Sequence, residues 1–333
     1  MIRSVNFPLT PYCAAAYGGW DRLGERIKKL GLDGIEGIWD PYDPDETFPK
    51  ELLTGYHLVF YPDWLDFYRQ DKKALLDKYG SMEMVEKVYK GLHPEALMKQ
   101  FKDDLERAVG LGADYVVFHV SDVSIEENFT YKWRHTNMEV LKGTVEFINE
   151  LLKGAPPTFD FLVENQWWPG FTFTEPKETE YLLSHIDFPK KGIMLDTGHL
   201  MNSNTALRNQ AQGVEYIIKM YEAHGEMGKS VYGLHFHQSV SGAYVRKNTG
   251  KLPEDFPTDY FEAFFRTYPH IQLIDRHLPW TEPKCALIIE EIQPRFLTHE
   301  LSWTDKRPKL ASVKRQINTI NKGRGLFVKQ LAR

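Results

Sequence analysis

The chain is 333 residues long, 42% hydrophobic and 26% charged, the composition of an ordinary globular protein. A net charge of −5 and the lack of any basic stripe leave no electrostatic footprint for nucleic acid, so such a partner would have to be held locally. Two cysteines, Cys13 and Cys285, are too few for a disulfide framework; with no apolar signal core and no run near the ~18 apolar residues of a membrane span, a cytoplasmic protein without a membrane partner is expected.

Ser4 to Pro8 reads as a first short strand, and Trp20 to Leu30 carries apolar residues at helical spacing. Asp33 to Trp39 is a second strand, in which Glu36 alternates with Ile35. Gly55 to Tyr61 is the third and carries His57. Residues 62–92 exceed a tight connection and read as a helical insertion with Trp64, Phe67, Tyr68 and Tyr79 as its apolar payload. Pro94 to Leu111 is an amphipathic helix that begins on a proline and closes on Gly112. Tyr115 to Val120 is the fourth strand, with His119, followed by a helix from Thr136 to Leu152. Phe161 to Gln166 is the fifth strand, with Glu164, and Thr179 to His185 a short helix.

The sixth strand is the most informative stretch: Ile193, Met194 and Leu195 run straight into Asp196, a Thr-Gly turn and His199. Leu207 to His224 is a long helix, and Val231 to Gln238 the seventh strand, with His235 and His237. A second insertion spans 239–269 and contains an aromatic helix; Ile271 to His277 then ends in Asp275 and His277. Pro283 to Ile292 is helical, Phe296 to Leu301 is the eighth strand with Glu300, and Lys309 to Ile320 is a last helix before a basic tail expected to fray.

Eight strand-like segments alternating with helices predict an α/β fold, a single (β/α)8 TIM barrel over residues 1–325 with insertions after strands 3 and 7 and a tail at 326–333. An open doubly wound sheet would want a glycine-rich phosphate loop after an early strand, and none is present. In such a barrel the functional groups gather at the C-terminal ends of the strands. There the chain carries five histidines (His57, His119, His199, His235, His277) and four carboxylates (Glu164, Asp196, Asp275, Glu300). Four buried carboxylates without a cation would repel one another and take up protons. Divalent metal resolves the conflict, and His with Asp/Glu but no Cys suits zinc, manganese or iron. Each residue also has a plainer reading. Asp196 can cap the following helix. His57 and His119 can be core histidines bonded to backbone. Glu36 can form a salt bridge inside the barrel. His299 should point into the helix layer, because it alternates with Glu300. Trp167, Trp168, Phe171 and Phe173 either cover the barrel top or form a wall that stacks a ring.

The motifs Leu195-Asp196-Thr197-Gly198-His199, Leu162-Val163-Glu164-Asn165-Gln166, Leu234-His235-Phe236-His237 and Asp275-Arg276-His277 resemble the xylose-isomerase-like barrel superfamily, and within it the endonuclease IV family of AP endonucleases. The resemblance implies three metal groups: His57, His119 and Glu164; Glu164, Asp196, His235 and Glu300; and His199, Asp275 and His277. It further implies up to three zinc ions, with manganese as the alternative metal. Glu164 and Glu300 would be the catalytic carboxylates, with Arg276, His237, Trp167, Trp168 and Glu36 toward the substrate. The first expected function is hydrolysis of a phosphate ester without a side-chain nucleophile. The second is isomerisation or epimerisation of a sugar or sugar phosphate on the Glu164, Asp196, His235, Glu300 set alone; a binding module on an inactive barrel is a third reading. Two departures favour a small sugar-like or phosphorylated substrate over DNA. Both insertions fall where the DNA enzymes have duplex-touching loops, and His237-Gln238 stands where that family usually has Asn-Asp.

Overall fold

A computed structural model describes residues 1–302 and 309–331. Eight parallel strands close in sequence order into a barrel: β1 (Ile2–Pro8), β2 (Gly34–Ile38), β3 (Leu53–His57), β4 (Tyr115–His119), β5 (Asp160–Glu164), β6 (Lys191–Asp196), β7 (Val231–His235) and β8 (Phe296–His299), with β8 pairing back onto β1. The strands are buried on both faces, as a parallel sheet wrapped in helices requires.

Side-chain parity places the site. Tyr115, Val117, Leu162, Met194 and Phe296 form a separate apolar cluster inside the barrel, while Val116, Phe118, Phe161, Val163, Ile193 and Leu195 join the larger core between strands and helices. Two residues further along the inward face come His119 after Val117, Glu164 after Leu162, Asp196 after Met194, and Thr298 then Glu300 after Phe296. The inner layer needs glycine at two points. A Cβ on Gly55 would lie 2.1 Å from the Tyr115 ring, and one on Gly233 would lie 2.5 Å from Met194 Cε.

The strand ends depart from expectation where side chains take over the ladder. β3 stops at His57: Leu58 N–H still reaches Val117 O, but Val59 N–H goes to Asp104 Oδ2 at 2.7 Å. β7 stops at His235, and Gln238 instead bridges to Leu278. Helices Leu65–Tyr68, Lys72–Tyr79 and Met82–Tyr89 fill the stretch after β3, with Phe67 stacked on Tyr89 at 3.8 Å. After β7, helix Tyr260–Ile274 does not end at Pro269 but runs through it, so Ile271–Ile274 are its last turn rather than the start of a new segment. Proline costs that helix one hydrogen bond while its fixed φ still suits helical backbone. Helix Lys309–Leu331 continues past Ile320 into the basic tail, and residues 332–333 lie outside the described residues. Among the described residues no helix is long and apolar enough to cross a membrane.

Candidate metal centre

Glu164, at the end of β5, is fully buried and stands at the middle of the mouth. Its Oε2 lies 3.3 Å from His57 Nε2 and 3.3 Å from His119 Nε2, from the ends of β3 and β4. Its Oε1 lies 3.2 Å from His199 Nδ1 and 3.2 Å from His235 Nδ1. Glu300 Oε2 sits 3.0 Å from the same His235 nitrogen. Asp196 caps the short helix Thr197–Asn202, its Oδ1 accepting from His199 N–H at 2.6 Å, and this turn aims His199 back over the barrel. Asp275, where helix Tyr260–Ile274 ends, holds Oδ2 3.1 Å from His199 Nε2 and 2.5 Å from His277 Nε2. His277 has a φ of +43°, a strained left-handed backbone for a residue with a Cβ, held here between Asp275 and Glu300 O.

All nine side chains expected at the mouth are thus brought together. Their ligand atoms form groups in which every atom lies within 4.8 Å of the others: three that overlap (His57, His119 and Glu164; His57, His235 and Glu300; Glu164, Asp196, His235 and Glu300) and a separate one of His199, Asp275 and His277 joined by His237. Both Glu164 oxygens, Glu300 Oε2 and His235 Nδ1 are buried and make no hydrogen bond, although several stand within 3.3 Å of one another. Converging buried lone pairs without a hydrogen bond between them form the donor geometry of a cation site. The donor set, imidazole and carboxylate without thiolate, fits a divalent metal.

The surrounding residues fix which ring nitrogen faces the centre. His235 Nε2 stands 3.0 Å from Glu36 Oε2, leaving Nδ1 for Glu164 and Glu300. His57 Nδ1 is held by Leu58 O at 3.1 Å, leaving Nε2 for Glu164. Asn165 Oδ1 takes the Asp196 N–H at 2.8 Å, and Gln166 Nε2 stands 3.0 Å from His199 Nδ1. Electrostatics follow the same pairs. Burial works against the charged form of Glu164, yet His119 and His235 pull its pKa well below the ordinary carboxylate value. Burial likewise opposes Glu300 and Asp275, which their histidine neighbours hold well below normal. Burial lowers His235 and His199, but the facing carboxylates raise both well above an ordinary imidazole, and Asp275 and Glu300 raise His277 to about 9. His119 is the exception, its pKa lowered by burial.

Glu36 is fully buried beneath His235, the salt-bridge arrangement inside the barrel, its Oε2 accepting from Tyr115 Oη at 2.7 Å and Thr298 Oγ1 at 3.0 Å. Phe171 and Phe173 belong to the general core, with Phe173 stacked on His224, so they make no wall at the mouth. Trp167 and Trp168 do stand at the mouth: their rings pack at 4.1 Å, and Trp167 lies 5.2 Å from His199. Arg276 is exposed beside Asp275. His299 points into the helix layer toward Gln316 Nε2 at 2.8 Å, and burial pushes its pKa down to about 3. The supporting roles of Gln166, Tyr115 and Thr298 are not legible in the sequence, because each acts on a residue from another strand.

The family model for the xylose isomerase-like TIM barrel matches residues 25–288, and the chain belongs to that family. Among solved structures, endonuclease IV from Thermus thermophilus aligns with a TM-score of 0.54 at 15% identity, covering 97% of this chain and 100% of that one. An L-ribulose 3-epimerase aligns at 0.53 and 12% identity, covering 100% and 97%. The IOLI protein, solved with a zinc atom, aligns at 0.51 and 16% identity, covering 97% and 96%. At these identities the likeness concerns the fold. No curated protein matches the sequence.

Proposed function

We propose that this protein is a divalent-metal-dependent hydrolase of a phosphate ester, with zinc as the metal its donor set suits best and up to three ions per chain. The observation that carries the reading is the position of Glu164, whose two oxygens face two different histidine pairs, so that one carboxylate serves two adjoining ligand groups. A shared carboxylate between two groups is what a multinuclear site needs and a mononuclear one does not. Cations bound there supply Lewis acidity and acidify water near neutral pH. The chain's residues do the rest. Glu164 and Asp196 hold the groups together, Glu36 orients His235, and Arg276 at the rim offers a planar cation to a phosphate. The Trp167–Trp168 pair presents aromatic surface beside His199 for a sugar-like ring. A net charge of −5 favours a small phosphorylated substrate over a polynucleotide.

A second reading, sugar isomerisation or epimerisation, rests on the group Glu164, Asp196, His235 and Glu300, which is a complete four-residue set by itself. Glu164 or Glu300 would then move a proton at a substrate carbon. Metal emission on the purified protein separates the two: two or three zinc ions per chain support hydrolysis, a single manganese supports isomerisation. Glu164→Gln should lower phosphate-ester turnover at least ~100-fold while the melting curve stays cooperative. Full activity in that variant would refute the hydrolase.

A further inference from the structure

His237 lies one step beyond the inward face of β7 and is fully buried. Its ring stacks on His277 at 4.1 Å and crosses His199 edge-on at 5.9 Å. One of its ring nitrogens converges with ligand atoms of His199, Asp275 and His277 within 4.8 Å. Its Nε2 also stands 2.8 Å from Asp196 Oδ2, while its buried Nδ1 has no hydrogen-bond partner. Room for the ring is made by Gly198: a Cβ there would lie 2.0 Å from His237 Cε1, a collision that any larger residue would meet. The backbone is committed as well, since Thr197 Oγ1 donates to His237 O at 2.6 Å and stands 3.2 Å from His237 N. The imidazole is therefore built into the seam between Asp196 and the Asp275–His277 turn.

We propose that His237 is the fourth protein ligand of a cation held by His199, Asp275 and His277, and that this makes the site a closed one. The inference rests on the reading of the mouth as a divalent-metal centre. Three protein ligands leave a tetrahedral zinc one open position, the arrangement of catalytic sites, whereas four fill it, the arrangement of structural sites. A closed cation here has no position for substrate. It ties the seventh strand and helix Thr197–Asn202 to the turn after helix Tyr260–Ile274, and it leaves the open position to the three-residue group His57, His119 and Glu164.

Cobalt tests this without relying on turnover, because four-coordinate tetrahedral Co2+ absorbs visible light far more strongly than five- or six-coordinate Co2+. Wild-type protein titrated with Co2+ should show the strong tetrahedral band for one equivalent, and inorganic phosphate should leave that band unchanged. His237→Asn should weaken binding of that equivalent at least ~10-fold and lose the strong band. If the part of the wild-type band that His237→Asn removes shifts on adding phosphate, the site is open and the proposal is overturned. The proposal falls equally if a folded His237→Asn protein keeps both affinity and spectrum, which would leave His237 as a partner of Asp196 alone. Wild-type protein that takes up no cobalt or zinc at all would instead sink the metal-centre reading beneath it.

Discussion

Two clusters of buried charge lie on the mouth side of the barrel, and they are balanced differently. In one, Asp63, Asp66 and Asp122 surround Lys78, whose Nζ lies 2.6 Å from Asp63 and 2.7 Å from Asp66, with His135 3.0 Å from Asp66. This cluster carries its own ammonium ion and pins the stretch after β3 to the loop after β4, where Asp122 Oδ1 accepts from Trp64 and Leu65 N–H. In the other, no lysine or arginine among the described residues lies within ion-pair distance of Glu164, Asp196, Asp275 or Glu300; buried Lys309 acts on Glu300 only from farther off, and the direct partners are imidazoles. Buried carboxylates with a built-in cation make a clasp, and carboxylates surrounded by neutralisable imidazoles make a receptor for a foreign one.

The sharpest way to break that contrast is to remove the clasp's own cation. Lys78→Met should cost about 3–5 kcal/mol in denaturant unfolding, because it strands buried carboxylates. Asp122, which burial and Asp63 already raise to about 7, should then rise further. The metal content of the mouth should not change, and loss of bound metal together with stability would show the clusters to be one unit.

An intermediate effect is expected beneath the centre. Glu36→Gln keeps the shape but weakens the hold on His235, and should reduce metal affinity ~10–100-fold with little change in the melting temperature of the chelated protein. An unchanged affinity would mean that Glu36 serves the barrel interior only.

The mildest effect is in pH. His277 is raised to about 9, and His199 and His235 are raised as well, so the charged pairs they form without metal stabilise the fold fully below about pH 6.5. That contribution is lost as pH climbs through about 9. Chelated protein should therefore melt progressively lower between pH 6.5 and 9. Metal-loaded protein should gain on it over the same range, since ligands must shed protons to bind. Parallel melting profiles for the two forms would contradict this.

The sequence discloses what a two-residue period can disclose. Apolar runs ending in His119, Glu164 and Asp196 mark both the strands and the residues turned toward the mouth. It hides what depends on neighbours far along the chain. Glu36 reads as a candidate for substrate contact, but its partners Tyr115, His235 and Thr298 come from three other strands. Pro269 reads as a boundary because proline usually ends a helix, and here helix Tyr260–Ile274 absorbs it. His237 shares a face with His235 in the sequence pattern, which makes it either a support for a neighbouring ligand or a substrate contact; its partners Asp196 and His277 come from distant segments that the pattern does not show.

The order in which the barrel is strung has a consequence for its birth. Glu164 meets His57 from the third strand and, through His235, Glu300 from just beyond the eighth, which must zip onto the first before the ring exists. Contacts so distant in sequence form late, because loop closure comes first. A nascent chain emerging from the ribosome could gather some of these imidazoles but not the whole cage. An ion held by Glu164, Asp196, His235 and Glu300 would thus act as a seal applied after assembly, rewarding only molecules whose last strand has found its place.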